Sequence, residues 1–345
     1  MKWKSWYTSE QFDKDCSNYD SSPICLIDEK IENFIADTDY GAYITIAHWI
    51  GLVSDDDFAS IIDKGIVSDP EEYEKKFNSF YQLFESTLGP ETAQIAAKQA
   101  ADKECGNQFT SIINEMKTKL VSSIDEVKRF AEMLIEYDMV EKSGDISTLN
   151  DAKEVAQLLN TNANPDEFDE IARKYGIADT KVCGDIPFIM CSYGYTREKT
   201  KYEDGVQLRA FKEEKPGKKN IYATKLRTEG VLFEFDRVRI IEWLLKNGYL
   251  NPDDAPNTQS EEEVKIWFVN NIHLGAINTF NEIDSENESL TSYVYTLIHS
   301  ISHLLVKSAA ELCGLNKDSI SEYIFPGMPA VMIYCQNSQG FNLGA

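Results

Sequence analysis

From about Glu29 to Gly176 the apolar positions recur at steps of three and four. Val127, Phe130, Ala131, Leu134 and Ile135, for example, fall on one face of a helix. Start and stop signals agree with that period. Ser123 with Glu126 three residues later forms a capping box, Asn164 before Pro165 reads as a cap and first turn, and Gly176 supplies a stop. Gly89-Pro90 separates two further helices, Tyr73 to Leu88 and Glu91 to Lys103, so that roughly seven helices are expected in this stretch. After Thr180 the period shortens. Ile186 to Tyr195, Gly205 to Phe211, Ile221 to Leu226 and Val231 to Phe235 are rich in β-branched and aromatic residues and are separated by turn residues, as short strands are.

Helical spacing returns at Arg237 to Lys246, at Glu261 to Asn271 behind a second capping box (Ser260, Glu263), and at Leu290 to Leu312 with Gly314 as its stop. In this last helix Leu297, Ile301, Leu304, Leu305 and Leu312 cover one side and Tyr295, His299, Val306 and Ala310 another, a pattern that predicts a buried helix. A short helix near Asp318 to Ile324 and a strand from Ala330 to Cys335 follow. The class implied is α+β: a helical domain over 1–180, then an α+β domain over 181–345 carrying a β-rich insert at about 186–236.

Composition narrows the function classes. A hydrophobic fraction of 42%, with 17 Phe, 17 Tyr and 5 Trp among 345 residues, supplies a real core. A formal net charge of -24 repels phosphate backbones and anionic lipid over most of the surface. Between Arg197 and Lys246, however, 13 basic residues face 9 acidic ones, so the positive charge collects in and just after the insert. The 7 cysteines are scattered without C-x-x-C spacing and read as packing thiols of a cytoplasmic protein. No apolar stretch follows the first lysines and no run of about 18 apolar residues occurs, so neither export nor a membrane span is expected.

Candidate chemistry is sparse. There is no phosphate loop of the G-x-x-x-x-G-K type, no G-x-G-x-x-G turn and no G-x-S-x-G elbow. His299 and His303 stand four apart and share a helix face; they read first as buried structural imidazoles, with a shared metal ion or catalysis as the other two readings. Ser300 occupies the position where a zinc peptidase carries its glutamate, and a metal-dependent nuclease or hydrolase would draw its carboxylate from Asp284 or Glu288. Arg197, Lys199, Arg209, Lys225 and Arg227 lie among Tyr193, Tyr195, Tyr202 and Tyr222, a mixture able to track a phosphate backbone and stack on bases. The same residues suit a solvated β surface or a docking face for an acidic partner, and a stand-alone DNA sensor is a further option.

Gly194-Tyr-Thr-Arg197, the run Leu226-Arg-Thr-Glu-Gly-Val-Leu-Phe-Glu-Phe-Asp236 and Trp243 resemble landmarks of the DrmB family, the helicase-partner subunits of the DISARM anti-phage system. The stretch from Tyr295 through His299 to His303, Met332-Ile-Tyr334 and Gly340-Phe-Asn-Leu-Gly344 resemble later landmarks, in a domain shared with MrfA-type repair helicases. The likeness runs from about Gly184 to Ala345 and makes Glu229, Gly230, His299 and His303 structural family positions. It implies a non-catalytic subunit of a prokaryotic defence complex. Such a subunit docks on a superfamily 2 helicase and reaches DNA through the complex; the charge distribution adds the expectation that the acidic helical half meets a basic helicase surface. Zinc in this family is held by a cysteine quartet beyond the final glycine turn, so zinc is expected only if a cysteine-rich region follows Ala345, and no other cofactor is implied.

Overall fold

The computed structural model describes residues 29–64, 70–104, 108–147, 164–192, 194–198, 206–211, 222–277, 283–316 and 319–335. The architecture is α+β, as the periodicity predicts. The described residues fall into two compact units: 29–134 with 256–270, and 135–255 with 271–335. The division lies inside one helix, whereas the boundary expected near residue 180 lies inside a strand.

The first unit is helical: α1 (Glu29–Asp37), α2 (Asp39–Trp49), α3 (Asp55–Lys64), α4 (Pro70–Leu88), α5 (Pro90–Glu104), α6 (Gln108–Lys119), the first half of α7 (Ile124–Lys142), and α10 (Glu261–Asn271) returning from much later in the chain. Its caps are local. Thr38 accepts from the Gly41 amide at 3.1 Å, and the Ser123 hydroxyl accepts from the Glu126 amide at 3.3 Å, as the capping box requires. Ile35, Ile44, Ile46, Met116, Val127, Phe130, Trp267 and Phe268 are buried.

Polar clamps hold α10 in this unit. The Asn270 side chain accepts from the Val121 amide and donates to the Lys119 carbonyl, both at 2.9 Å, satisfying backbone groups where α6 ends. Lys265 donates to the Trp49 carbonyl at 3.0 Å, its ammonium 5.2 Å from the centre of the Trp49 ring.

The second unit is built on a five-stranded antiparallel sheet in the order β1-β2-β5-β7-β6, formed by β1 (Gly144–Ser147), β2 (Ile177–Ser192), β5 (Tyr222–Phe235), β7 (Ala330–Cys335) and β6 (Ile320–Phe325). A separate two-stranded sheet pairs β3 (Gly194–Glu198) with β4 (Val206–Ala210). The helices are the second half of α7, α8 (Pro165–Lys174), α9 (Arg237–Lys246) and the 25-residue α11 (Ser289–Cys313). Every residue of β7 is buried, which is why Ala330 to Cys335 reads as an unbroken apolar run.

The structure departs from the sequence pattern in three places. The two strands expected at Ile221 to Leu226 and Val231 to Phe235 are one 14-residue strand, β5, because Gly230 is accommodated within it and does not end it. The segment expected as a short helix near Asp318 to Ile324 is strand β6. Pro326 and Gly327 break any helical continuation and turn the chain back, and the apolar Ile320, Tyr323 and Phe325 find partners along β7. Helix α11 is not buried all round. Its buried stripe is Thr291, Val294, Ile298, Ser302 and Ala310, while Leu304 and Leu312 are 65% and 87% exposed. Gly314, at φ 64°, takes the left-handed conformation that closes this helix, as its sequence position predicts. No helix among the described residues is long and apolar enough to cross a membrane.

At Gly230, β5 runs between Cys183 of β2 and Tyr334 of β7. A Cβ placed there would stand 2.6 Å from the Ile333 carbonyl oxygen and 3.1 Å from the Tyr334 Cβ, so the sheet closes only over glycine. Gly230→Ala is expected to lower stability by about 1–3 kcal/mol, seen as a lower urea midpoint. Asn270→Ala, which opens the clamp on α10, is expected to cost about 1–3 kcal/mol in the same measurement.

Candidate functional site

The basic insert becomes a ribbon. β2 and β5 pair from Ile177 opposite Phe235 to Ser192 opposite Tyr222, but β7 pairs with β5 only over Gly230 to Glu234, and β1 reaches β2 only over Lys181 to Cys183. Beyond those limits β2 and β5 form a two-stranded arm among the described residues. A bulge marks where the arm begins: Gly184 and Asp185 lie between the paired residues Cys183 and Ile186, against the single Glu229 on β5.

The predicted cationic positions are distributed along this arm and the adjoining β3–β4 sheet. Lys225 stands opposite Ile189, Arg209 opposite Tyr195, and Arg197 opposite Gln207, while Lys199, Tyr193 and Tyr202 lie outside the described residues. Arg227 is exposed and forms an ion pair with Asp185 of the bulge. An exposed pair of this kind contributes little to stability and exchanges readily for another anion. Near the end of the arm Tyr195, Phe211 and Tyr222 make a chain of ring contacts with centroids 6.3 and 5.2 Å apart, and Tyr222 is 64% exposed.

Residues at the end of β5 and the start of α9 carry structural duties. Glu229 is half-buried beside Gly230 at the root of the arm. Glu234 accepts from the Tyr137 hydroxyl at 3.0 Å and pairs with Arg237 at 2.9 Å; burial, reinforced by Glu234, pushes the Tyr137 phenol far above its ordinary value and keeps it a donor. Asp236 caps α9 by accepting from the Val238 and Arg239 amides.

His299 and His303 meet as the four-residue spacing predicts, their Nε2 atoms 2.8 Å apart. They are not the buried imidazoles expected, because they leave the buried stripe of α11 on its margin: their side chains are 42% and 64% exposed. Glu322 of β6 completes the group, with its Oε1 3.9 Å from His299 Nε2 and 3.8 Å from His303 Nε2. Burial pushes the His299 pKa below the usual histidine value and His303 adds to that effect, while Glu322 opposes it. The Tyr295 ring lies 5.5 Å from that of His299, and its phenol is pushed up by burial and by Glu322.

The carboxylate beside the histidines is therefore neither of the two suggested by the sequence. Glu288 precedes His299 by about 16 Å of helix rise and binds the His273 ring at 2.6 Å, and Asp284 caps its own loop through the Asn287 side chain at 2.7 Å. Glu322 is hidden in the sequence because β6 reads there as helix and because its approach to α11 is long-range. Among the described residues His299, His303 and Glu322 are the one cluster of His, Cys, Asp or Glu side chains able to hold a metal ion. The described cysteines 183, 313 and 335 are unbridged thiols, two of them buried, and none belongs to that cluster.

No family model, curated protein or solved structure matches the chain. Arg227→Ala is expected to leave the midpoint of chemical denaturation essentially unchanged, because the ion pair it removes is exposed.

Proposed function

We propose that the chain is a non-catalytic accessory subunit of a prokaryotic anti-phage defence complex, which docks on a superfamily 2 helicase and helps it engage DNA. The observation that carries this reading is the two-stranded arm of β2 and β5. It extends past the five-stranded sheet, holds cationic positions 197, 209, 225 and 227 on itself and its neighbouring hairpin, and exposes Tyr195 and Tyr222 near its end. Arginine and lysine follow a phosphate backbone, and exposed aromatic rings accept the faces of unpaired bases. The order of the DrmB-like landmarks supports the same assignment.

The rest of the chain suits a protein partner better than a polyanion. Removing the +4 segment from a chain of net charge -24 leaves a strongly negative remainder, which steers association with a basic helicase surface. The subunit itself makes and breaks no covalent bond. DNA contact is local to the arm, and the motor supplies the nucleotide chemistry.

Purification of the chain from cells expressing its native operon is expected to recover a superfamily 2 helicase in stoichiometric amount; recovery of no helicase overturns the reading. In the purified complex, changing Arg197, Lys199, Arg209, Lys225 and Arg227 to glutamine is expected to weaken DNA binding. It should also flatten the dependence of log affinity on log salt by about 0.7–0.9 for each phosphate no longer neutralised. An unchanged slope in a variant that still binds the helicase removes the arm from the DNA path.

A further inference from the structure

We propose that His299, His303 and Glu322 form a binding site for one zinc-class divalent ion, which fastens α11 to β6. Such a site is independent of the docking function. The three donor atoms mark a triangle with sides of 2.8, 3.8 and 3.9 Å. One point lies about 2.1 Å from all three, the bond length zinc takes to imidazole nitrogen and carboxylate oxygen. A tetrahedral ion draws its ligands to about 3.4 Å from one another, so the histidines separate slightly and the carboxylate moves in. These shifts lie within reach of side-chain torsions.

The supports of the three ligands are well fixed. The histidines sit on successive turns of a 25-residue helix whose adjoining face buries Val294 and Ile298. Glu322 is on a strand paired with the wholly buried β7, opposite Ile333. The site thus joins two elements that the chain connects only through a glycine-capped turn at Gly314 and the residues after it. The two Nε2 atoms lie 2.8 Å apart, and a metal ion between them would take the lone pair of each.

The donor set narrows the ion. Two imidazoles and one carboxylate suit zinc and neighbouring transition metals, and suit magnesium and calcium poorly. Three protein ligands leave a fourth position, and the exposure of His303 gives it to water or to a group from a partner.

The test uses the untagged full chain, stripped with chelator and titrated with zinc by calorimetry and with cobalt by visible absorption. One equivalent of zinc is expected, with a rise in thermal midpoint and the strong visible bands of four-coordinate cobalt. His303→Gln and Glu322→Gln should each lower affinity at least about tenfold and abolish the thermal shift. His303 is exposed and Glu322 half-buried, so both variants are expected to fold, which circular dichroism checks. His48→Gln, which removes a histidine held against Asp55 in the helical unit, should leave binding unchanged. Failure to bind a stoichiometric metal, binding unaltered in both ligand variants, or calcium bound as tightly as zinc would overturn the assignment. None of these outcomes bears on helicase recovery, so the two proposals fail separately.

Discussion

The second unit depends on how closely β5 can approach its neighbours at Gly230. Where the side chain vanishes, β2, β5 and β7 come together as one sheet; immediately beyond, the bulge at Gly184 and Asp185 bends β2, and the strands continue as a pair. One position therefore marks where the pairing with β7 ends and β2 and β5 continue as a two-stranded arm. β7 is apolar because both its faces are covered, whereas the arm keeps Ile186 and Ile189 buried and turns Met190, Arg227 and Tyr222 to water.

Signals that operate within one helical turn are legible in the sequence. Ser123, Ser260 and Gly314 cap the helices that the periodicity assigns them, because a cap is a contact between a residue and amides or carbonyls three or four positions away. Signals that depend on distant pairing are not. β6 resembles a helix over a few residues and becomes a strand only because β7 lies beside it, and the union of two short strands into β5 needs both β2 and β7 as partners. The candidate metal cluster divides the same way. His299 and His303 follow from spacing, whereas Glu322 follows from the β6–β7 hairpin. Apolar content overstates the burial of α11 because it ignores which face meets the sheet: Leu304 and Leu312 count as core by composition and lie in solvent.

The residues from Gly230 to Arg237 are in large part residues that make the fold. Gly230 permits strand contact, Glu234 holds Tyr137 and Arg237, and Asp236 starts α9. Arg227, by contrast, is exposed on its strand, and the fold places little constraint on the identity of such a side chain.

Helix α10 has a consequence for the order in which the chain acquires structure. It belongs to the unit built from 29–134, yet more than a hundred residues of other structure intervene before it. The Val121 amide and Lys119 carbonyl find their partner in Asn270, and the Trp49 carbonyl finds its own in Lys265, only after that stretch has been made. On the ribosome, the amino-terminal helices emerge early and wait. Their last wall arrives with Trp267 and Phe268, when three-quarters of the polypeptide has been synthesised, so a fragment ending near residue 180 would expose the surface that this late helix normally seals.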